Sequence, residues 1–203
     1  MKPFKKTTQS NIKAPKPELA GRVPPGQAVT DKFPVLTYGD TPEADLKTWD
    51  FKLWGAVEKP VTLNYEQFMA LPKVQVTADF HCVTQWSRLN NVWEGVSIYE
   101  VMKLITLKPE ARYVMVHADE GYTANLPLKV LLDNDVLFAY KHDGKALEPA
   151  HGWPLRLVVP KRYAWKSAKW VRGLQFMEQE YAGFWEMNGY HNDGDPFKEQ
   201  RFS

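Results

Sequence analysis

A mixed α+β domain is the fold class this sequence predicts, on three observations. The 203 residues are 44% hydrophobic and include eight Trp, nine Tyr and ten Phe, enough apolar material for one sizeable core. Strand patterns outnumber helix patterns, and the two do not alternate strictly, which disfavours a doubly wound parallel sheet. No internal repeat occurs.

The elements follow in order. Residues 1–43 carry Pro, Lys, Gly and Thr without an apolar period, the composition of a segment lying on a folded body. We set an extended N-terminal arm at residues 1–32 and the domain at residues 33–203, with "KFPVLTYGDTP" as the part that docks. From Trp49, "WDFKLWGAVEKP" alternates and stops at Gly and Pro, a strand and turn. Asn64 caps a short helix, Tyr65 to Ala70, that Pro72 terminates. Val74, Val76, Ala78 and Phe80 alternate with polar residues, so a half-buried strand runs into His81 and Cys82. "SIYEVMKLI" opens with Ser97 and Glu100 in capping-box spacing and places Val101, Leu104 and Ile105 on one helical face. Tyr113 to Ala118 reads as a strand, Leu128 to Leu132 as a helix, and Val136 to Tyr140 as a strand turning at Asp143-Gly144. "PLRLVVP" and "KWVRGLQFME" supply two further strands.

Composition removes several function classes. A net charge of +2 provides no field for nucleic acid or a membrane surface as principal partner. No run of about 18 apolar residues occurs, so no helix is expected to span a membrane. One cysteine cannot form an intrachain disulfide, and the amino end shows neither an apolar signal core nor a twin arginine, so a cytoplasmic location is expected.

The lone Cys82 lies in "DFHCVTQWSRLNNVWEGV", beside His81 and among Thr84, Gln85, Ser87, Arg88, Asn90 and Asn91, the polarity of a site mouth. Three roles are open to it: a buried small hydrophobe, a thiolate nucleophile, or a metal ligand. The five histidines, His81, His117, His142, His151 and His191, show no zinc spacing, so a metal here needs a cofactor to complete its sphere.

"HCVTQWS", "YTANLPL", "DVLFAY", "AHGWPLRLVVPKRYAWKSAKWV" and "FWEMNGYH" occur in an order and spacing that resemble the sulfite-oxidase-type molybdopterin oxidoreductases over residues 33–192, most of all their short bacterial members. The resemblance implies the mixed-sheet molybdopterin-binding fold of that family. It also implies a mononuclear molybdenum held by one protein thiolate and the dithiolene of one pyranopterin without a nucleotide. By motif position Cys82 is the implied molybdenum ligand. His151, Arg156, Ser167, Ala168 and Lys169 fall on pterin-contacting positions, and the donors suit an anion cradle for its phosphate. His117 and Asp119 fall near pterin contacts, and Thr37 and Tyr38 lie where relatives wrap the cofactor. Tyr181 matches a tyrosine near the metal. Lys166 is a further phosphate candidate, while Lys161, Arg162 and Arg172 otherwise read as a solvated strand face.

The departures narrow the reaction. The sulfite oxidases follow their cysteine with a Gly-Asn-Arg-Arg type segment, where this chain reads Val83 to Arg88. "CVTQWS" is closer to the catalytic subunit of a periplasmic methionine sulfoxide reductase. No CxxCH for haem occurs, so no haem is expected. The implied activity is oxygen-atom transfer between molybdenum(VI) and molybdenum(IV) on a small oxo donor or acceptor, a sulfoxide, N-oxide or sulfite-like molecule. Electrons would pass to or from a separate protein or carrier. Trp86, Ser87 and Arg88 are candidates for shaping access at the reacting centre. The competing assignments are core packing for Trp86 and Trp93, an ion pair or cap for Arg88, and solvent for His142 and His191. A cofactor-binding subunit without turnover and a cofactor-free cysteine enzyme are the alternative functions.

Overall fold

The structure is a computed structural model and describes Leu19 and residues 21–203. Strand β1 (Ala28–Val29) belongs to the arm segment. Strands β2 (Asp50–Gly55) and β3 (Val61–Asn64) lead into helix α1 (Tyr65–Met69). There Asn64 Oδ1 accepts from the Gln67 amide at 2.8 Å, and Gln67 Oε1 accepts from the Asn64 amide at 2.9 Å, a complete capping box. Next come β4 (Lys73–Cys82), β5 (Trp86–Ser97) and α2 (Ile98–Met102). The remainder comprises β6 (Tyr113–Ala118), β7 (Thr123–Pro127), α3 (Leu128–Leu131), β8 (Leu137–His142), β9 (Lys145–Ala146), β10 (Arg156–Val158), β11 (Val171–Met177) and α4 (Phe184–Met187).

These strands form two sheets. The six-stranded sheet runs β1-β5-β8-β10, with β4 also on β5 and β9 on β8. The five-stranded sheet runs β3-β2-β11-β6-β7. Phe51 on β2 meets Phe138 on β8 edge to face at 5.1 Å and Phe68 of α1 at 4.9 Å, so the main core lies where the two sheets and α1 meet. A second apolar cluster of Phe80, Trp93, Leu137, Ala139, Leu147 and Val158 has Phe33 and Trp86 packed on it. That second cluster underlies the site.

One long strand escapes the residue pattern, and one expected capping box is incomplete. Residues 86–97 are a strand antiparallel to β4, with Cys82 opposite Trp86. Strand periodicity is hidden there because Ser87 and Asn91 are buried polar residues, and Asn90 adopts a left-handed φ of 54° where the register shifts. Ser97 does cap α2, accepting from the Tyr99 amide at 3.2 Å, but Glu100 pairs with Lys103 at 2.6 Å, so the reciprocal half of the box is absent. Strands β3 and β7 are not foreshadowed by the residue pattern. Each is short, and the period of so few residues carries little signal.

Candidate functional site: a thiol and two uncompensated cations in one cavity

Cys82 is the last residue of β4, and the turn Val83–Gln85 leads into β5. The Gln85 amide donates to the Cys82 carbonyl at 3.1 Å, and Gln85 takes a left-handed φ of 68°. The thiol is 6% exposed and lies 3.1 Å from Thr84 Oγ1. Burial pushes the Cys82 thiol above its ordinary value, while Thr84 and the charge of Arg201 pull it down.

Cys82 opens onto a cavity of about 270 Å³ that also takes in Thr37, Tyr38, Trp86 and Asp119. His151, Arg156, Ser167, Ala168 and Lys169 line the same space. Short irregular connections bring these residues together. His151 ends a 3₁₀ turn (Pro149–His151) closed by Gly152 at φ 109°, where an added Cβ would sit 3.1 Å from Lys169 Cβ. His151 Nε2 lies 3.1 Å from the Phe33 carbonyl, and the two rings stack at 4.8 Å. The Ser167 hydroxyl accepts from the Val159 amide at 2.9 Å, which holds the loop to the strand beside it.

The electrostatics of the cavity are unusual. Arg156 is 4% exposed and donates to the carbonyls of His151 at 3.0 Å and Ser167 at 3.2 Å. Its guanidinium also lies over Phe33, Phe80 and Trp93 at 5.3–5.6 Å. Arg156 Nε is buried without a partner, and no carboxylate pairs with Arg156 among the described residues. Burial lowers its pKa to about 10. Lys169 Nζ donates to the carbonyls of Ala150 at 2.9 Å and Leu36 at 3.1 Å and to Thr37 Oγ1, again with no carboxylate among the described residues. Burial, followed by the charge of Arg156, lowers the Lys169 pKa to about 8. Two desolvated cations without a counterion are costly in isolation, so the cavity is preorganised for an anion.

Other expected residues lie elsewhere. Arg88 is not at the cavity; Asp143 takes its guanidinium at 2.5 Å, together with Asn91 and His142. His117 lies on β6 within the five-stranded sheet and outside the cavity lining, with Nε2 3.0 Å from Gln175 Oε1 on β11 and its ring 4.8 Å from Trp54 on β2. Tyr181 is 58% exposed and outside the cavity lining. Trp93 is fully buried core. His142 is not solvated: it lies 2.9 Å from Asn91 Oδ1 and its ring packs 4.3 Å from that of Trp93. Lys166 is fully buried in an ion pair with Glu186 at 2.7 Å, so it does not reach into the cavity as a free cation. Lys161, Arg162 and Arg172 pair with Asp133, Asp193 and Asp50.

Sequence reasoning misses an aromatic wall. Tyr122, Trp165, Phe184, Trp185 and Tyr190 all border the cavity, with Trp185 stacked on Tyr190 at 4.9 Å and Tyr38 against Phe184 at 5.0 Å. Burial raises the Tyr190 pKa, with the nearby Cys82 adding to it. The segment "FWEMNGYH" carries the signal, as closely spaced aromatics at a chain turn.

The profile of the family described as "Oxidoreductase molybdopterin binding domain" matches residues 38–185. The chain is 48% identical to "Uncharacterized oxidoreductase YuiH" of Bacillus subtilis (strain 168), over 98% of both chains. It is 27% identical to the "Protein-methionine-sulfoxide reductase catalytic subunit MsrP" of Campylobacter jejuni, over 69% of this chain and 52% of the relative, so it spans about half of that protein. Among solved structures, the sulfane dehydrogenase SoxCD from Paracoccus pantotrophus superposes with a TM-score of 0.63 at 25% identity, over 68% of this chain and 40% of that one. With its two mixed sheets and few short helices, this chain belongs to the oxidoreductase molybdopterin binding domain family and is a molybdopterin oxidoreductase of the sulfite oxidase type.

Proposed function

We propose that the cavity holds one mononuclear molybdenum–pyranopterin, without nucleotide or haem, and that the protein transfers an oxygen atom to or from a neutral oxo substrate such as a sulfoxide or N-oxide. The carrying observation is a single thiol sharing one cavity with two cations that lack counterions. The residues fit the group. Cys82 offers the soft thiolate for the metal. Arg156, with its buried free Nε, and Lys169 offer charge and donors for the phosphate. Ala168 is small and 2% exposed, so backbone can approach the ligand there.

When bound, the cofactor supplies the two-electron redox change and the oxygen-atom exchange. The chain's own residues bind, orient and exclude water. Phe33 and His151, stacked together, and the Tyr38–Phe184 contact form apolar walls on which a flat ring system packs. Trp86 lies opposite Cys82 in the hairpin and narrows access to the thiol.

The neutral substrate follows from charge counting. Arg156 and Lys169 are taken by the phosphate, and Arg88 is taken by Asp143. No further lysine or arginine lines the cavity among the described residues, so a sulfite dianion meets no free cation on its walls, Arg201 being turned to the backbone behind Cys82. Two electrons and two protons convert a sulfoxide to a sulfide and water, and we assign their supply to a separate electron-transfer protein or carrier. Among the described residues no helix is long and apolar enough to cross a membrane. The single cysteine suits a reducing compartment, and on that ground we place the protein in the cytoplasm. Turnover tests the reading, with a reduced dye as electron donor for the oxides and an oxidised dye as electron acceptor for sulfite: sulfoxides or N-oxides should be reduced at least about tenfold faster, by kcat/KM, than sulfite is oxidised. Preferred oxidation of sulfite would overturn the substrate assignment.

A further inference from the structure

We propose that two segments outside the family match, the arm around Gln27 and the tail around Arg201, clamp the Cys82 loop. Arg201 and Gln27 are then positioning residues that set the geometry and reduction potential of the metal bound there. The proposal rests on the cofactor reading above.

The family match covers residues 38–185, so neither segment belongs to it. Gln27 is 1% exposed, and its Nε2 donates to the Cys82 carbonyl at 3.0 Å. Its Oε1 accepts from Ser87 Oγ at 3.4 Å, and that hydroxyl also lies 2.8 Å from His81 Nδ1. From the other side, Arg201 donates through Nη1 to the Val83 carbonyl at 2.9 Å and through Nη2 to the Pro25 carbonyl at 3.2 Å. One guanidinium thus joins the tail, the arm and the residue after Cys82. It is held over the Tyr163 ring at 5.1 Å, a planar, forked arrangement that lysine cannot reproduce.

The tail that delivers Arg201 is itself fixed. Asp195 Oδ1 accepts from the Phe197 amide at 2.9 Å, and the Phe197 ring meets the edge of His81 at 5.8 Å. The nearest carboxylate to Arg201 is that of Glu199, at 3.9 Å and 54% exposed, while the Arg201 side chain is 12% exposed. A contact of that length to a solvated carboxylate neutralises little, so a net positive charge stands behind the thiol loop. Groups behind a ligand orient it and tune its metal, and a positive charge favours the reduced state.

The test uses holoprotein from a host that makes the cofactor, comparing wild type with Arg201→Met, Arg201→Lys and Gln27→Leu. Molybdenum per chain, the Mo(V) paramagnetic resonance and the midpoint potential are measured. Hydrogen exchange at the Gln85 amide is measured on the cofactor-free chain. Arg201→Met should keep most of the molybdenum, change the Mo(V) signal, lower the midpoint potential and speed Gln85 exchange by about tenfold. Arg201→Lys should return the potential toward wild type while exchange stays fast. Gln27→Leu should change the Mo(V) signal and speed exchange. A wild-type spectrum, potential and exchange rate in Arg201→Met would overturn the clamp; should that variant fail to fold, the same result in the two milder variants would do so. If the wild type carries no molybdenum, the cofactor reading fails. Exchange alone then decides the clamp, with faster exchange in the variants supporting it and unchanged exchange refuting it.

Discussion

Arg156 is the residue on which the site turns. Its charge is buried against three aromatic rings and two carbonyls, with one N–H unpaired. In the cofactor-free chain this arrangement is a liability, because an apolar side chain of similar volume needs no counterion. Arg156→Met should therefore leave cofactor-free stability unchanged or raise it by about 1 kcal/mol in urea unfolding, while reducing retained pterin at least about tenfold. A loss of stability together with normal pterin content would contradict the anion-site assignment. His142 makes a pH prediction at the same scale. Burial, opposed by Asp143 and reinforced by Arg88, lowers its pKa from 6.5 to about 4. Between those values the unfolded chain binds a proton that the folded chain refuses, so stability falls as pH drops through this window and levels off below it. The effect is on the order of 1–2 kcal/mol after solvent screening, and His142→Gln should flatten the urea midpoint against pH accordingly. His81, lowered by burial to about 4, adds a parallel component that remains in that variant.

The β4–β5 hairpin and the α4 segment both contribute to the cavity wall, and they differ in how well the sequence announces them. The alternation of Val74, Val76, Ala78 and Phe80 makes β4 legible up to Cys82. Its partner β5 is obscured by buried Ser87 and Asn91 and by the left-handed Asn90. Close backbone approach is equally hidden in a sequence. At Gly95 an added Cβ would stand 2.1 Å from the Phe138 carbonyl, so Gly95→Ala should separate β5 from β8 and lower stability by about 2 kcal/mol or more, read from thermal unfolding. The α4 segment is pinned by Glu186, which accepts from Trp165 Nε1 at 2.7 Å and pairs with Lys166 at the same distance, both charged side chains being buried. Lys166→Met should cost about 3–5 kcal/mol, because it strands a buried carboxylate, and Lys166→Met with Glu186→Leu should recover much of that loss. Recovery would show the pair to be positioning machinery for Trp185 and Tyr190 rather than a net source of stability.

At the scale of the whole molecule, chain segments distant in sequence converge on one cavity. Cys82 comes from a strand end, His151 from a 3₁₀ turn, Lys169 from a loop and Tyr190 from beyond α4. Motif position alone singles out Cys82, His151, Arg156, Ser167, Ala168 and Lys169, because each lies in a locally distinctive run of residues. The aromatic wall is only hinted at by the closely spaced aromatics of "FWEMNGYH", and the Gln27–Arg201 clamp is illegible in the sequence, since it depends on contacts between distant segments, such as that of Arg201 with Val83, 118 positions apart. The capture of Arg88 and Lys166 in ion pairs is equally a tertiary outcome that charge pattern alone does not reveal. The measurement that bears most directly on the central claim is molybdenum per chain, by elemental mass spectrometry, in protein from a cofactor-producing host, with Arg156→Ala as the comparison. Near-stoichiometric metal in the wild type and its loss in Arg156→Ala is the predicted result; a wild-type chain without molybdenum, or equal metal in both proteins, would contradict the account.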